Sequence, residues 1–139
     1  MVNDKRLGKK NGVGFYRYEG KKRISDPQIT SYITVKKKSN LSDDDLVARM
    51  VYPMVNEAAR CLEDKIATRP KDVDLGMIFG TGFAPFRGGL LSFADTEGIS
   101  KVHDKLSAFA DKYGDRFKPS AALQAIHNSG KGFYAYYGS

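Results

Sequence analysis

A chain of 139 residues that is 41% hydrophobic and 28% charged has the composition of one soluble domain with its own core, which excludes fibrous, collagen-like and disulfide-stapled classes. Cys61 is the single cysteine, so no intramolecular bridge can form and nothing points to an oxidising compartment. The net charge of +7 is unevenly placed: residues 1–40 hold 11 of the 23 Lys/Arg against Asp4, Glu19 and Asp26, and the remainder of the chain is slightly acidic.

The basic first segment shows no helical period and reads as a tail plus a linker. Its start has no apolar leader, and no later run approaches the roughly 18 apolar residues of a membrane span. A soluble protein of the cytoplasm or an organelle matrix is expected, not a secreted one. Ile29, Tyr32, Ile33 and Val35 suggest one short strand or extended patch before Lys36-Lys37-Lys38-Ser39-Asn40. Within the segment, Gly12-Val13-Gly14-Phe15-Tyr16-Arg17-Tyr18 is echoed near the other end by Gly130-Lys131-Gly132-Phe133-Tyr134-Ala135-Tyr136. The separation is the length of a small domain and not of a solenoid repeat, so the pattern reads as the end signature of a repeated unit. Phe15, Tyr16 and Tyr18 among Lys9, Lys10, Arg17 and Lys21 also have the composition of a stacking-plus-phosphate surface for RNA or DNA. The second echo keeps the aromatics with little of the charge, which favours packing.

At Ser42 the character changes. A hydroxyl followed by Asp43-Asp44-Asp45 is a helix start, with Asp45 in the acidic slot of a capping box. Leu46, Val47, Met50, Val51, Met54, Val55, Ala58, Ala59, Leu62 and Ile66 then recur at three- and four-residue steps, a core stripe with Arg49, Asn56, Arg60, Glu63 and Asp64 on other faces. Pro53 predicts a kink, and Cys61 beside the stripe reads as a small buried hydrophobe. Pro70 opens a short helix through Phe79. The glycine-rich loop "GTGFAPFRGG", residues 80–89, leads to one helical turn over Leu90–Phe93. Val102, Leu106, Phe109, Ala110 and Tyr113 mark a helix entered at Ser100 and stopped by Gly114, and residues 119–126 make a last short one, followed by an extended "GKGFYAYY". The fold class expected is all-α, about four or five helices, with an extended basic N-terminal tail.

No self-contained catalytic site emerges. "GTGFAP" has Pro85 where a dinucleotide fingerprint needs its third glycine, and no strand precedes it; Asn128-Ser129-Gly130-Lys131 fails as a phosphate loop at Ala125 and Gly132. His103 and His127 lie 24 residues apart with no ligand-pair spacing, so no metal site is expected. His103 and Asp104 come with no nucleophile elbow and read as helix-surface residues. Asp72 and Asp74 read as carboxylates stabilising a helix start.

"LGKKNGVGFYRY", "RMVYPMVNEA" (49–58), "DVDLGMIFGTGFAPFRGG" (72–89), "ADTEG" (94–98) and "YGDRFKPSAAL" (113–123), in this order and spacing, resemble the C-terminal region of the 3-hydroxyacyl-CoA dehydrogenase family, above all its multifunctional fatty-acid oxidation enzymes. The resemblance implies the helical C-terminal domain shared by 6-phosphogluconate and 3-hydroxyacyl-CoA dehydrogenases, duplicated in the multifunctional enzymes. Residues 1–18 would be the tail of a first copy, 19–40 a basic linker and 41–139 the second copy, so that the chain begins inside a domain. The NAD fingerprint and the catalytic histidine and glutamate would belong to an absent Rossmann half, leaving no catalytic, cofactor or metal residue here. The family's asparagine ahead of the first long helix's arginine falls on Ala48, which has no polar side chain. The implied role is packing, shaping of the acyl-CoA cleft and assembly, and the implied partners are the Rossmann domain, the first copy, a thiolase subunit in a bacterial-type complex, and acyl-CoA. Homodimerisation through bare apolar faces and approach of Lys9, Lys10, Arg17 or Lys21–Arg23 to CoA phosphates are further expectations. The alternative is a free-standing helical binding module whose basic arm holds nucleic acid.

Overall fold

The computed structural model describes residues 1–32 and 41–138. It divides into two compact units, one of residues 1–40 and one from Leu41 onward.

In the first unit, strands β1 (Tyr16–Glu19) and β2 (Lys22–Ser25) pair antiparallel, with Glu19 opposite Lys22. The two-residue connection places Gly20 at φ 60, a conformation that costs glycine nothing. A 3-10 turn over Pro27–Tyr32 follows. The anchor is Asp26, whose side chain is wholly buried and accepts from Arg6 Nη2 at 2.5 Å. The same guanidinium donates to the Gly14 carbonyl and lies 5.4 Å from the Tyr32 ring centre. Hydrogen bonding from Arg6 holds the Asp26 carboxyl below the usual carboxylate range. The stretch read as tail and linker therefore carries a hairpin. Ile29 and Tyr32 sit in the 3-10 turn and not in a strand, while Ile33, Val35 and Lys36–Asn40 lie outside the described residues. Periodicity missed this unit because an ion pair and a glycine turn, not an apolar stripe, organise it.

The second unit is helical: α1 (Asp43–Glu63), α2 (Pro70–Thr81), α3 (Leu90–Glu97), α4 (Ile99–Tyr113), α5 (Ala121–Ser129) and α6 (Phe133–Tyr137). Ser42 caps α1 as expected, its hydroxyl accepting from the Asp45 amide at 3.1 Å. α1 continues through Pro53. The expected stripe is buried at Val55, Ala58, Ala59 and Leu62, but near the start of α1 Ala48 and Tyr52 take the place of its first residues. Ala48, Tyr52, Val55, Ala59 and Leu62 enter the core, whereas Leu46, Val47, Met50 and Ile66 are exposed. Apolar residues cover more than one face of α1, and spacing alone does not say which meets the other helices. Asn56, assigned to an outer face, is buried because its amide ties down the loop before α5: Nδ2 donates to the Lys118 carbonyl at 2.9 Å, and Oδ1 accepts from the Ser120 amide at 2.7 Å. Cys61 is half-buried and not a core residue.

Leu90, Leu91 and Ala94 of α3, Val102 and Leu106 of α4, Leu123 and Ile126 of α5, and Phe133 of α6 complete the core. α3 is eight residues and not one turn, and α4 begins directly after Gly98, at Ile99. The closing "GKGFYAYY" is not extended: Phe133–Tyr137 is helical. Among the described residues no helix is long and apolar enough to cross a membrane.

Candidate functional site

The motif stretches that the sequence scatters over 60 residues converge where α2, α3 and α6 meet. Asp74, on α2, is buried. Its Oδ1 accepts from the Leu91 amide at 2.6 Å, and its Oδ2 from the Ser92 amide at 3.0 Å and the Tyr134 hydroxyl at 2.9 Å. The carboxylate therefore caps the amino end of α3, a helix other than its own, where orphan amides and the helix dipole favour negative charge. Asp72, two residues earlier, is paired with Arg69 at the start of α2 at 2.8 Å, and this guanidinium holds its carboxyl below the usual range. The two carboxylates read together at one helix start serve two different helices.

Gly89 makes this cap possible. Its φ of 114 lies in the left-handed region, and a Cβ built there would stand 2.3 Å from the Cβ of Asp74. A second cap repeats the device. Asp95, in "ADTEG", accepts from the amides of Phe133 at 2.6 Å and Tyr134 at 3.1 Å, and a Cβ on Gly132 would stand 2.6 Å from its carboxyl carbon. That bond pair winds the terminal motif into α6. Tyr134 thus touches both carboxylates, one through its amide and one through its hydroxyl.

Chemically these are acceptors already engaged by amides and a phenol, an arrangement that fixes helix ends and offers no group for proton or acyl transfer. Burial, the hydrogen bond to Asp74 and the charges of Asp74 and Asp95 push the Tyr134 hydroxyl up to about 12 from its ordinary 10. A pKa raised in the fold means that the neutral phenol is favoured there. Stability from Tyr134 is thus fully present below pH 10 and is lost as pH rises through about 12. Denaturant titrations of the wild type and Tyr134→Phe between pH 8 and 12 are expected to show a steeper alkaline loss in the wild type; parallel curves would refute the coupling.

Ala48 is buried in the core. Beside it a groove lined by Asp44, Asp45, Tyr52, Arg87, Glu97, Lys101 and Lys105 has its charges largely paired, Lys101 to Glu97 and Lys105 to Asp45, each at 2.5 Å. These pairs hold both carboxyls below their usual range. Asp104 is exposed, as the sequence suggested, but His103 is mostly buried and its ring lies against that of His127. Sequence reasoning missed this pairing, the role of Asn56 and the crossed cap of Asp74. The glycines were the available signal, since a glycine beside a carboxylate contact marks a place where backbone must approach closely.

A model of the family described as "3-hydroxyacyl-CoA dehydrogenase, C-terminal domain" matches residues 46–136. A fatty acid oxidation complex subunit alpha from Vibrio vulnificus is 45% identical over 134 residues, which is 96% of this chain and 19% of that protein. The subunit of the same name from Shewanella amazonensis is 42% identical and covered to the same extents. A crystal structure of the dehydrogenase part of multifunctional enzyme 1 from C. elegans superposes with a TM-score of 0.65 at 30% identity, over 90% of this chain and 31% of that one. The chain thus spans about a fifth of the length of the curated relatives it matches. None of these comparisons supports an arm that holds nucleic acid.

Proposed function

The chain belongs to the 3-hydroxyacyl-CoA dehydrogenase C-terminal domain family, and from that premise we propose that it serves as a non-catalytic, C-terminal helical part of a multifunctional NAD-dependent 3-hydroxyacyl-CoA dehydrogenase of fatty-acid β-oxidation. Residues 1–18 then end a first copy of the helical domain, 19–40 connect it, and 41–139 form the second copy. The work of this part is packing, shaping of the acyl-CoA cleft and assembly. Its partners are a Rossmann domain, the first copy and, in a bacterial-type complex, a thiolase subunit; the setting is the bacterial cytoplasm or an organelle matrix. The parent reaction, hydride transfer from C3 of a 3-hydroxyacyl-CoA to NAD with a histidine as general base, rests on groups in the Rossmann half.

One observation carries the reading: the matched motifs spend their carboxylates and glycines on helix caps. Asp74 and Asp95 each accept from two backbone amides. Ala48, where a polar family residue would stand, is core. The test has two arms. The purified chain is expected to give no oxidation of NADH with acetoacetyl-CoA. Exchanged for the matching fifth of the Vibrio vulnificus alpha subunit, it is expected to leave that subunit's dehydrogenase activity in place. Turnover by the chain alone, or a folded chimera with hydratase but no dehydrogenase activity, would sink the proposal.

A further inference from the structure

Packing of α4 on α5 stacks the imidazoles of His103 and His127, with ring centres 4.1 Å apart and planes within 3° of parallel. Around them, Asp104 Oδ1 lies 2.9 Å from His103 Nδ1, and Gln124 Oε1 lies 2.7 Å from His103 Nε2. Among the described residues, Nδ1 of His127 is buried with no hydrogen-bond partner. One ligand atom from each of His103, Asp104 and His127 falls within 4.8 Å of the others.

We propose that His103, His127 and Asp104 form a binding site for a divalent transition-metal ion of the zinc type, clamping α4 to α5. Two imidazole nitrogens and one carboxylate oxygen suit zinc and its neighbours, whereas calcium and magnesium prefer oxygen alone. Ligands held about 2.0–2.2 Å from one tetrahedral ion stand about 3.5 Å apart, so the most separated atoms of a cluster that spans 4.8 Å close by about 1 Å when the ion enters. Parallel rings aim their lone pairs side by side. Convergence therefore requires each ring to turn about its terminal torsion, which is broad and soft. An unpartnered buried nitrogen calls for an explanation, and lone-pair donation to an ion supplies one. The Asp104 side chain, 71% exposed, leaves the cluster open to solvent on one side.

The probe is Zn²⁺ alone, titrated calorimetrically into the full chain, with Co²⁺ as a spectroscopic stand-in. Interpretation is clean because the sequence holds two histidines and one cysteine, and the thiol is removed by Cys61→Ser. One ion per chain is expected, with a Co²⁺ visible spectrum of low coordination number. Asp104→Asn, an exposed change that leaves the fold alone, is expected to weaken binding about tenfold or more, and His127→Gln further. If a histidine variant fails to fold, ¹⁵N shifts of both wild-type imidazoles on adding Zn²⁺ decide the matter. Unshifted imidazoles, no binding, or Zn²⁺ affinity indifferent to Asp104→Asn would each overturn the site.

Discussion

Phe133→Ala is expected to destabilise the helical unit by about 3–5 kcal/mol, whereas the same change at its echo, Phe15, is expected to move stability by no more than about 0.5 kcal/mol. The two residues occupy the same slot of one motif. Phe133 is fully buried in the core, while Phe15 is 63% exposed. Deleting the buried ring removes its apolar burial and leaves a cavity that the surrounding core fills only in part. Urea unfolding followed by helical circular dichroism separates the cases; a loss below about 1 kcal/mol at Phe133 would place its ring outside the core.

The contrast follows from partners and not from the motif. The second occurrence of the motif has Asp95 in reach, and two amide bonds to its carboxylate start a helix at Phe133. At the first occurrence the Gly14 amide donates to the Tyr16 carbonyl, and β1 pairs with β2. Gly14 itself packs against Gly8, where a Cβ would stand 2.7 Å from its Cα. One short sequence thus adopts strand in one setting and helix in the other, as tertiary context overrides local preference.

What the sequence disclosed follows the same division. Ser42 and Ser120 cap α1 and α5 because a cap is a local arrangement of adjacent residues, visible without any fold. The amphipathic α4 was legible for a similar reason, since Val102, Leu106 and Phe109 fall on one face. The buried side of α1 was legible over Val55, Ala58, Ala59 and Leu62 but not at its start, where two apolar faces compete and only packing against the other helices chooses between them. Nor were the contacts that build the site. Asp74 reaches Tyr134 across 60 residues, Asn56 reaches Ser120 across 64, and His103 meets His127 through helix packing. Such pairings depend on topology, which periodicity does not encode.

Asp74→Ala is expected to cost about 3 kcal/mol or more, because it strips partners from two amides at the start of α3 and from one phenol. Tyr134→Phe is expected to cost only about 1 kcal/mol, since it deletes one hydroxyl whose acceptor keeps its amide bonds. The coupling between them is the decisive quantity. If the hydroxyl acts through Asp74, removing it in the Asp74→Ala background changes little, and the double variant falls well short of the sum of the singles. Gly89→Ala approaches the same junction from the backbone side. A methyl group placed 2.3 Å from the Asp74 Cβ at a φ of 114 cannot be accommodated without displacing the carboxylate or the start of α3. Its cost is therefore expected to match that of Asp74→Ala, and to shrink in an Asp74→Gly background, because alanine at position 74 would keep the Cβ that the new methyl group meets. Additive losses in these unfolding cycles would show that Gly89 and Tyr134 act independently of the cap. Strong non-additivity would establish that a carboxylate, a glycine and a tyrosine drawn from three separate motifs form one structural joint.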